Sequence, residues 1–99
     1  MSINPGATVT KDPGESLLYT FDWSDWLVGA ATIATSTFAI SGPDVGLTKD
    51  NPTNTTTATA VRVIGGTLGK TYTLTNTVVT NESPTQTGER SIKVTIRNL

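Results

Sequence analysis

An all-β sandwich is the fold class this sequence predicts, and three observations predict it. Hydrophobic residues make up 35% of the chain and charged residues only 15%, while threonine fills about a fifth of the 99 positions. Such β-branched side chains fit a pleated surface better than a helix. Apolar residues also recur at every second position over short runs, the period at which one face of a strand turns inward. Gly, Pro, Asn and Asp punctuate those runs at the spacing that turns between strands require. A chain of this length supports one core, so residues 1–99 are read as a single domain.

The pattern begins after Met1 to Gly6, which is expected to form a flexible N-terminal arm. Thr8 to Lys11 reads as a first edge strand. It is stopped by Asp12-Pro13-Gly14, in which proline presets one backbone angle of a turn and glycine permits the other. In the next strand, Ser16 to Asp22, Leu17, Tyr19 and Phe21 share one face and Leu18, Thr20 and Asp22 the other. Alternation then breaks at Asp22-Trp23-Ser24-Asp25-Trp26-Leu27, which reads as a single helical turn capped by Asp22.

A strand over about Ala31 to Ile40 places Ser36, Phe38 and Ile40 together, and Ser41-Gly42-Pro43-Asp44 closes it. A weaker strand is expected around Val45 to Lys49, followed by a polar loop over Asp50 to Thr56. Thr57 to Ile64 turns Thr59, Val61 and Val63 inward and Ala60, Arg62 and Ile64 outward, and Gly65-Gly66 ends it. Tyr72, Leu74, Asn76 and Val78 alternate with threonines. After a hairpin loop at Asn81 to Gly88, Ile92, Val94 and Ile96 alternate with Ser91, Lys93, Thr95 and Arg97, completing a half-buried antiparallel pair.

About seven antiparallel strands at this spacing suit an immunoglobulin-like sandwich, with a barrel as the structural alternative. Tyr72, opening its strand after Gly69-Lys70-Thr71, stands where a tyrosine corner would. The predicted dry interior consists of Leu17, Tyr19, Phe21, Phe38, Val61, Val63, Tyr72, Leu74, Val94 and Ile96.

Catalysis is excluded mainly by inventory. The chain has no histidine for general-base work at neutral pH and no cysteine for thiol attack, thiolate-bound metal or disulfides. Asp22 and Asp25 are the nearest local carboxylate pair, but a sugar cleft is hard to build from one small core. Asp12, Glu15, Asp44 and Asp50 could join them around calcium, yet no spacing matches a calcium loop, and aspartates at turns need no metal to account for them. Neither a cofactor nor a bound metal is expected.

Gly65-Gly66-Thr67-Leu68-Gly69-Lys70-Thr71 superficially resembles a phosphate-binding loop, but its glycine spacing is wrong and a strand, not a helix, is predicted to follow. Asn54-Thr55-Thr56 and Asn81-Glu82-Ser83 match glycosylation sequons and are read only as exposed loops. Net charge is −1 with both signs scattered, so neither nucleic acid nor an anionic membrane is an expected partner. The opening residues show no secretion signal and no apolar run reaches membrane-spanning length, so synthesis in a cytoplasm is expected.

Two features remain for binding. Trp23 and Trp26 would suit a sugar- or protein-binding platform if exposed, but a small domain needs at least one of them as a core anchor. Leu18 and Ile64 are apolar yet point away from the predicted core, with Arg62 near Ile64. Their strands are neighbours in an immunoglobulin-like fold, so Leu18, Arg62 and Ile64 form the candidate protein interface.

Taken together, Asp12-Pro13-Gly14-Glu15-Ser16-Leu17-Leu18-Tyr19-Thr20-Phe21-Asp22-Trp23-Ser24-Asp25-Trp26-Leu27 and Thr32-Ile33-Ala34-Thr35-Ser36 resemble small virion proteins of tailed bacteriophages, the fiber-tail adaptor family. Gly65-Gly66-Thr67-Leu68-Gly69-Lys70-Thr71-Tyr72-Thr73-Leu74-Thr75-Asn76 and Glu89-Arg90-Ser91-Ile92-Lys93-Val94 resemble their second half, so the likeness spans about residues 12 to 97. It departs at Arg62, beside Val61, where such proteins carry an aromatic or other large outward residue. The resemblance implies a non-enzymatic virion part in many symmetric copies, made in the bacterial host cytoplasm. Its partners would be tail, fibre or capsid subunits, and its role would be to attach fibres or to decorate the particle. A carbohydrate-binding or adhesion module is the alternative.

Overall fold

Alternation at period two is strictest in two strands, Thr71–Thr80 and Thr87–Ile96, and these pair antiparallel at the centre of one sheet. The computed structural model describes residues 2–3 and 6–99, with side chains from residue 6 onward. Among them the strands are β1 (Ser2–Ile3), β2 (Thr8–Lys11), β3 (Ser16–Asp22), β4 (Ile33–Ser41), β5 (Leu47–Asn54), β6 (Ala58–Gly65), β7 (Thr71–Thr80) and β8 (Thr87–Ile96). The first is a two-residue bridge, seven longer strands follow, and there is no helix among the described residues.

One sheet has the order β1-β3-β6-β5 and the other β2-β8-β7-β4. Stacked as two layers, this order is compatible with the immunoglobulin-like sandwich expected from the sequence. Not every pairing is antiparallel, as the sequence suggested: β2 runs parallel to β8, with Val9 opposite Val94, and β1 runs parallel to β3. Parallel neighbours need a long connection, and β2 and β8 have nearly the whole chain between them. Of the expected N-terminal arm, Ser2–Ile3 pairs with Thr20 and Phe21, Gly6 N donates to Ser91 O at 2.8 Å, and residues 1, 4 and 5 lie outside the described residues.

The interior is largely the predicted one. Tyr19, Phe21, Val61, Val63, Tyr72, Leu74, Val94 and Ile96 are buried, joined by Trp23, Ile33, Leu47, Val78 and Ile92. Leu17 and Phe38 pack against this cluster but stay half-buried. For Phe38 the cause is position, because β4 is the edge of its sheet and has a neighbour on one side only.

The largest departure is at β5. The sequence suggested a strand from Val45 and a loop from Asp50; instead Val45 is exposed in a turn and the strand continues to Asn54. Asn51 and Pro52 look like turn residues because one tolerates left-handed backbone and the other lacks an N–H. Here they occupy a bulge, where the register with β6 shifts between Asp50 and Thr53 and Asn51 takes φ 49°. A bulged edge strand is one of the few places in a sheet that accepts proline. Asn54 of the first sequon therefore ends a strand rather than lying in a loop.

Tyr72 makes the expected corner. Its hydroxyl accepts the Thr67 N–H at 3.0 Å and donates to the Asp44 carboxylate, tying the connection before β7 to the turn before β5. That hydrogen bond holds the Asp44 carboxyl below the usual carboxylate range, with help from the Gly46 N–H.

Lys11 has no counterpart in the sequence reading. It is fully buried, and its ammonium donates to Gly65 O at 2.7 Å and Asp12 O at 2.9 Å, joining β2 to the end of β6 across the two sheets. Desolvation lowers its pKa, while Glu15 and Asp12 oppose that shift.

Tyr19 contrasts with Tyr72, for its buried hydroxyl has no hydrogen-bond partner among the described residues. Burial, with a smaller contribution from Glu15, pushes its phenol up to about 12 from an ordinary 10.0. The fold thus favours the neutral phenol, and the unfolded chain loses its proton first as pH rises. Stability is expected to be intact below pH 10 and to decline between 10 and about 12. Tyr19→Phe should be neutral or stabilising by up to about 1 kcal/mol at pH 7 and should flatten that alkaline decline. Thermal melts across the pH range check both; destabilisation at pH 7 would show that the hydroxyl does contribute.

Candidate partner-binding surface

Antiparallel pairing of β3 with β6 sets Leu18 directly opposite Arg62, on the face turned away from the core. Ile64 lies two residues further along β6 on that same face, opposite Ser16 on one side and Thr48 on the other. The three residues selected from sequence are therefore brought together. Leu18 is 49% exposed, whereas Arg62 and Ile64 are half-buried.

β5 adds a residue that sequence reading had assigned to a loop. Asp50 pairs with Arg62 in register, and its carboxylate takes two guanidinium hydrogen bonds, Nε to Oδ1 at 2.7 Å and Nη2 to Oδ2 at 2.6 Å. The hydrogen bonds and charge of this pair lower the Asp50 carboxyl and raise the Arg62 guanidinium. Both side chains keep a large fraction of their surface in water, at 43% and 39%, so solvent screens the pair and it adds little to the stability of the fold. Its clearer consequence is orientation: a fork-to-carboxylate geometry holds Arg62 flat along the sheet beside Leu18. The surface is thus one exposed leucine and a half-buried isoleucine rimmed by a fixed ion pair and by hydroxyls.

The tryptophan segment has a different role. Trp23 is buried and its indole Nε1 donates to Asn76 Oδ1 at 2.9 Å. Trp26 stacks edge-on against Trp23, with centroids 5.3 Å apart, and is half-buried. The turn between them closes through Trp26 N and Leu27 N, both donating to Trp23 O, and Asp22 Oδ1 caps it by accepting Ser24 N at 2.9 Å. Arg90 of β8 covers the cluster with its guanidinium 4.3 Å from the Trp23 ring centroid, Nη1 on Asp22 O and Nη2 on Asp25 Oδ1. Asp22-Trp23-Ser24-Asp25-Trp26 therefore closes one end of the sandwich, and Trp23 is not available as a binding platform.

Asp12, Glu15 and Asp44 are held in turns. Asp12 accepts the N–H groups of Gly14 and Leu99, Glu15 accepts that of Asp12, and Asp44 that of Gly46. Backbone N–H donors lower the carboxyls of Asp12 and Asp22. No cluster of three potential metal ligands is found among the described residues. A cavity of about 270 Å³ lined by Trp26, Leu27, Val28, Thr80, Glu82 and Gln86 contains one carboxylate, and a shallow groove of about 480 Å³ near Leu68 and Asn98 contains none. Neither brings two acids together for hydrolytic chemistry.

The sequence of residues 11–95 matches the family described as podophage GP4 fiber-tail adaptor protein gp77. No curated protein matches the chain. Among solved structures, the cysteine protease inhibitor EhICP2 from Entamoeba histolytica is similar at 11% identity and a TM-score of 0.57, over 94% of this chain and 87% of that one. A solution structure of amebosin aligns at 14% identity and a TM-score of 0.39, over 97% of this chain and 96% of that one. The first of these likenesses is one of fold.

Proposed function

We propose that this chain, which belongs to the podophage GP4 fiber-tail adaptor family, joins a fibre to the tail of the virion by protein–protein contacts made through rigid sheet surfaces. The family match over residues 11–95 carries this reading, since it spans nearly the whole sandwich. A structural, tail-associated role is the family's own description. The contact surface is our assignment: the outer face at Leu18, Arg62 and Ile64 docks a neighbouring virion protein, in several symmetric copies per particle.

Its chemistry suits that role. An exposed leucine offers apolar area to bury, and an arginine already held by Asp50 loses little conformational freedom on binding. Purified chain mixed with purified tail and fibre proteins of the same phage should bridge the two in co-sedimentation. Leu18→Lys should abolish that bridging and leave the melting temperature nearly unchanged, because the side chain lies outside the core. Unaltered bridging by this variant would remove the outer face from consideration. Binding to a glycan array in place of either virion protein would overturn the adaptor reading itself.

A further inference from the structure

Sheet edges are hazards that proteins guard with charge, proline, bulges or short length. Three of the four edges here are guarded. β5 carries Lys49, Asp50, Pro52 and a bulge; β2 has four residues and runs into Asp12-Pro13; β1 has two residues. The fourth, β4, is nine residues long, Ile33-Ala34-Thr35-Ser36-Thr37-Phe38-Ala39-Ile40-Ser41, with no charge and no proline. Its irregularity lies at one end, between Ile33 and Thr35, and from Thr35 to Ser41 the strand is regular.

The space beside that edge is also incomplete. Ser36, Phe38 and Ile40 pair with buried Val78, Asn76 and Leu74 and so face inward, yet each is only half-buried. Across the sandwich, Lys49 and Asn54 of β5 pair with buried Val63 and Thr59 and so share the inward face, yet both are exposed. β4 and β5 face each other across the open side of the sandwich, and the inward residues of both are incompletely covered there. One further strand beside β4 would cover Phe38, Ile40 and the inner side of β5 together. It would meet Lys49, which makes no ion pair among the described residues.

We propose that the open edge of β4 accepts an extended segment of another polypeptide as an added strand, with an acidic side chain of that segment facing Lys49. A second copy of this chain fits less well. Two-fold pairing of β4 with itself would bring both copies of Lys49 into one junction, like charge toward like charge. The edge is also small: about 30 Å long and about 10 Å thick, it offers about 300 Å², against about 800 Å² per partner in a stable dimer. A tethered segment inside a particle avoids that limit, because tethering raises its effective concentration.

The test uses the isotope-labelled full chain and a synthetic peptide of alternating threonine and valine with one central glutamate. Amide exchange should slow at the β4 N–H groups that point away from β7 and stay unchanged along β2 and β5. Lys49→Glu, at an exposed site, should keep the melting temperature and weaken that peptide by about fivefold or more, while a peptide with central lysine recovers the loss. Leu18→Lys should leave peptide binding intact, which separates this edge from the outer-face contact. Protection that is absent from β4, appears on another edge, or ignores the charge at position 49 would overturn the proposal.

Discussion

Asn76→Leu is expected to destabilise the protein by about 3 kcal/mol, although it replaces a fully buried amide with an apolar side chain of similar size. The reason is that every hydrogen-bonding position of Asn76 is filled. Its carbonyl accepts Trp23 Nε1 at 2.9 Å and Thr59 Oγ1 at 2.6 Å, and its amide donates to Ser36 Oγ and Thr37 O, each at 2.9 Å. These partners come from both sheets, so one side chain on β7 ties β4, β6 and the residue after β3 together. Leucine would leave the buried indole N–H only the longer bond to Thr59 Oγ1 at 3.4 Å and would take the amide donor from Ser36 Oγ and Thr37 O, and weakening buried polar groups in this way costs about 1–3 kcal/mol. The melting temperature should fall by roughly 12–24 °C for a domain of this size. The double variant with Trp23→Phe, which removes the indole N–H too, should be less destabilised than the sum of the single changes by about 1 kcal/mol or more. A melt within about 1 kcal/mol of the parent would mean that the network adds little beyond packing.

Gly88→Val is the second large effect, expected at about 3 kcal/mol, with Gly88→Ala near 1 kcal/mol. A Cβ at this position on β8 would stand 2.8 Å from Trp26 Cζ2 and 2.9 Å from Trp23 Cζ3, closer than carbon atoms approach. The backbone at Gly88 pairs normally with Val78, so the conflict is purely steric. Trp23 is buried on all sides and cannot yield, whereas Trp26 is half-buried and can swing toward water. Valine should therefore red-shift the tryptophan emission as well as lower the melting temperature. A lowered melt with unchanged emission would place the strain on the β7–β8 pair instead.

Much of the interior was legible from the sequence, and the reason is the pleat itself. Once a strand has one wet and one dry face, period-two alternation marks the buried residues, and Tyr19, Phe21, Val61, Val63, Leu74 and Val94 carried that mark. The outer-face trio was legible for the same reason, because Leu18 and Ile64 break the polar half of the alternation. β5 was not legible. Asn51 and Pro52 carry the local chemistry of a turn, and only pairing with β6 keeps the strand going through a bulge. That error hid Asp50 as the partner of Arg62.

By itself the sequence determined the fold class, most of the core, the tyrosine corner at Tyr72 and the lack of a thiol or imidazole for catalysis, since each follows from residue type and short-range period. Only the tertiary structure decided that Lys11 is buried across the sheets, that Arg90 covers Trp23, that Gly88 seats two tryptophans and that β4 is the unguarded edge. Those facts depend on contacts between residues as far apart as 68 positions in the chain, and no local pattern records which distant strand will lie alongside.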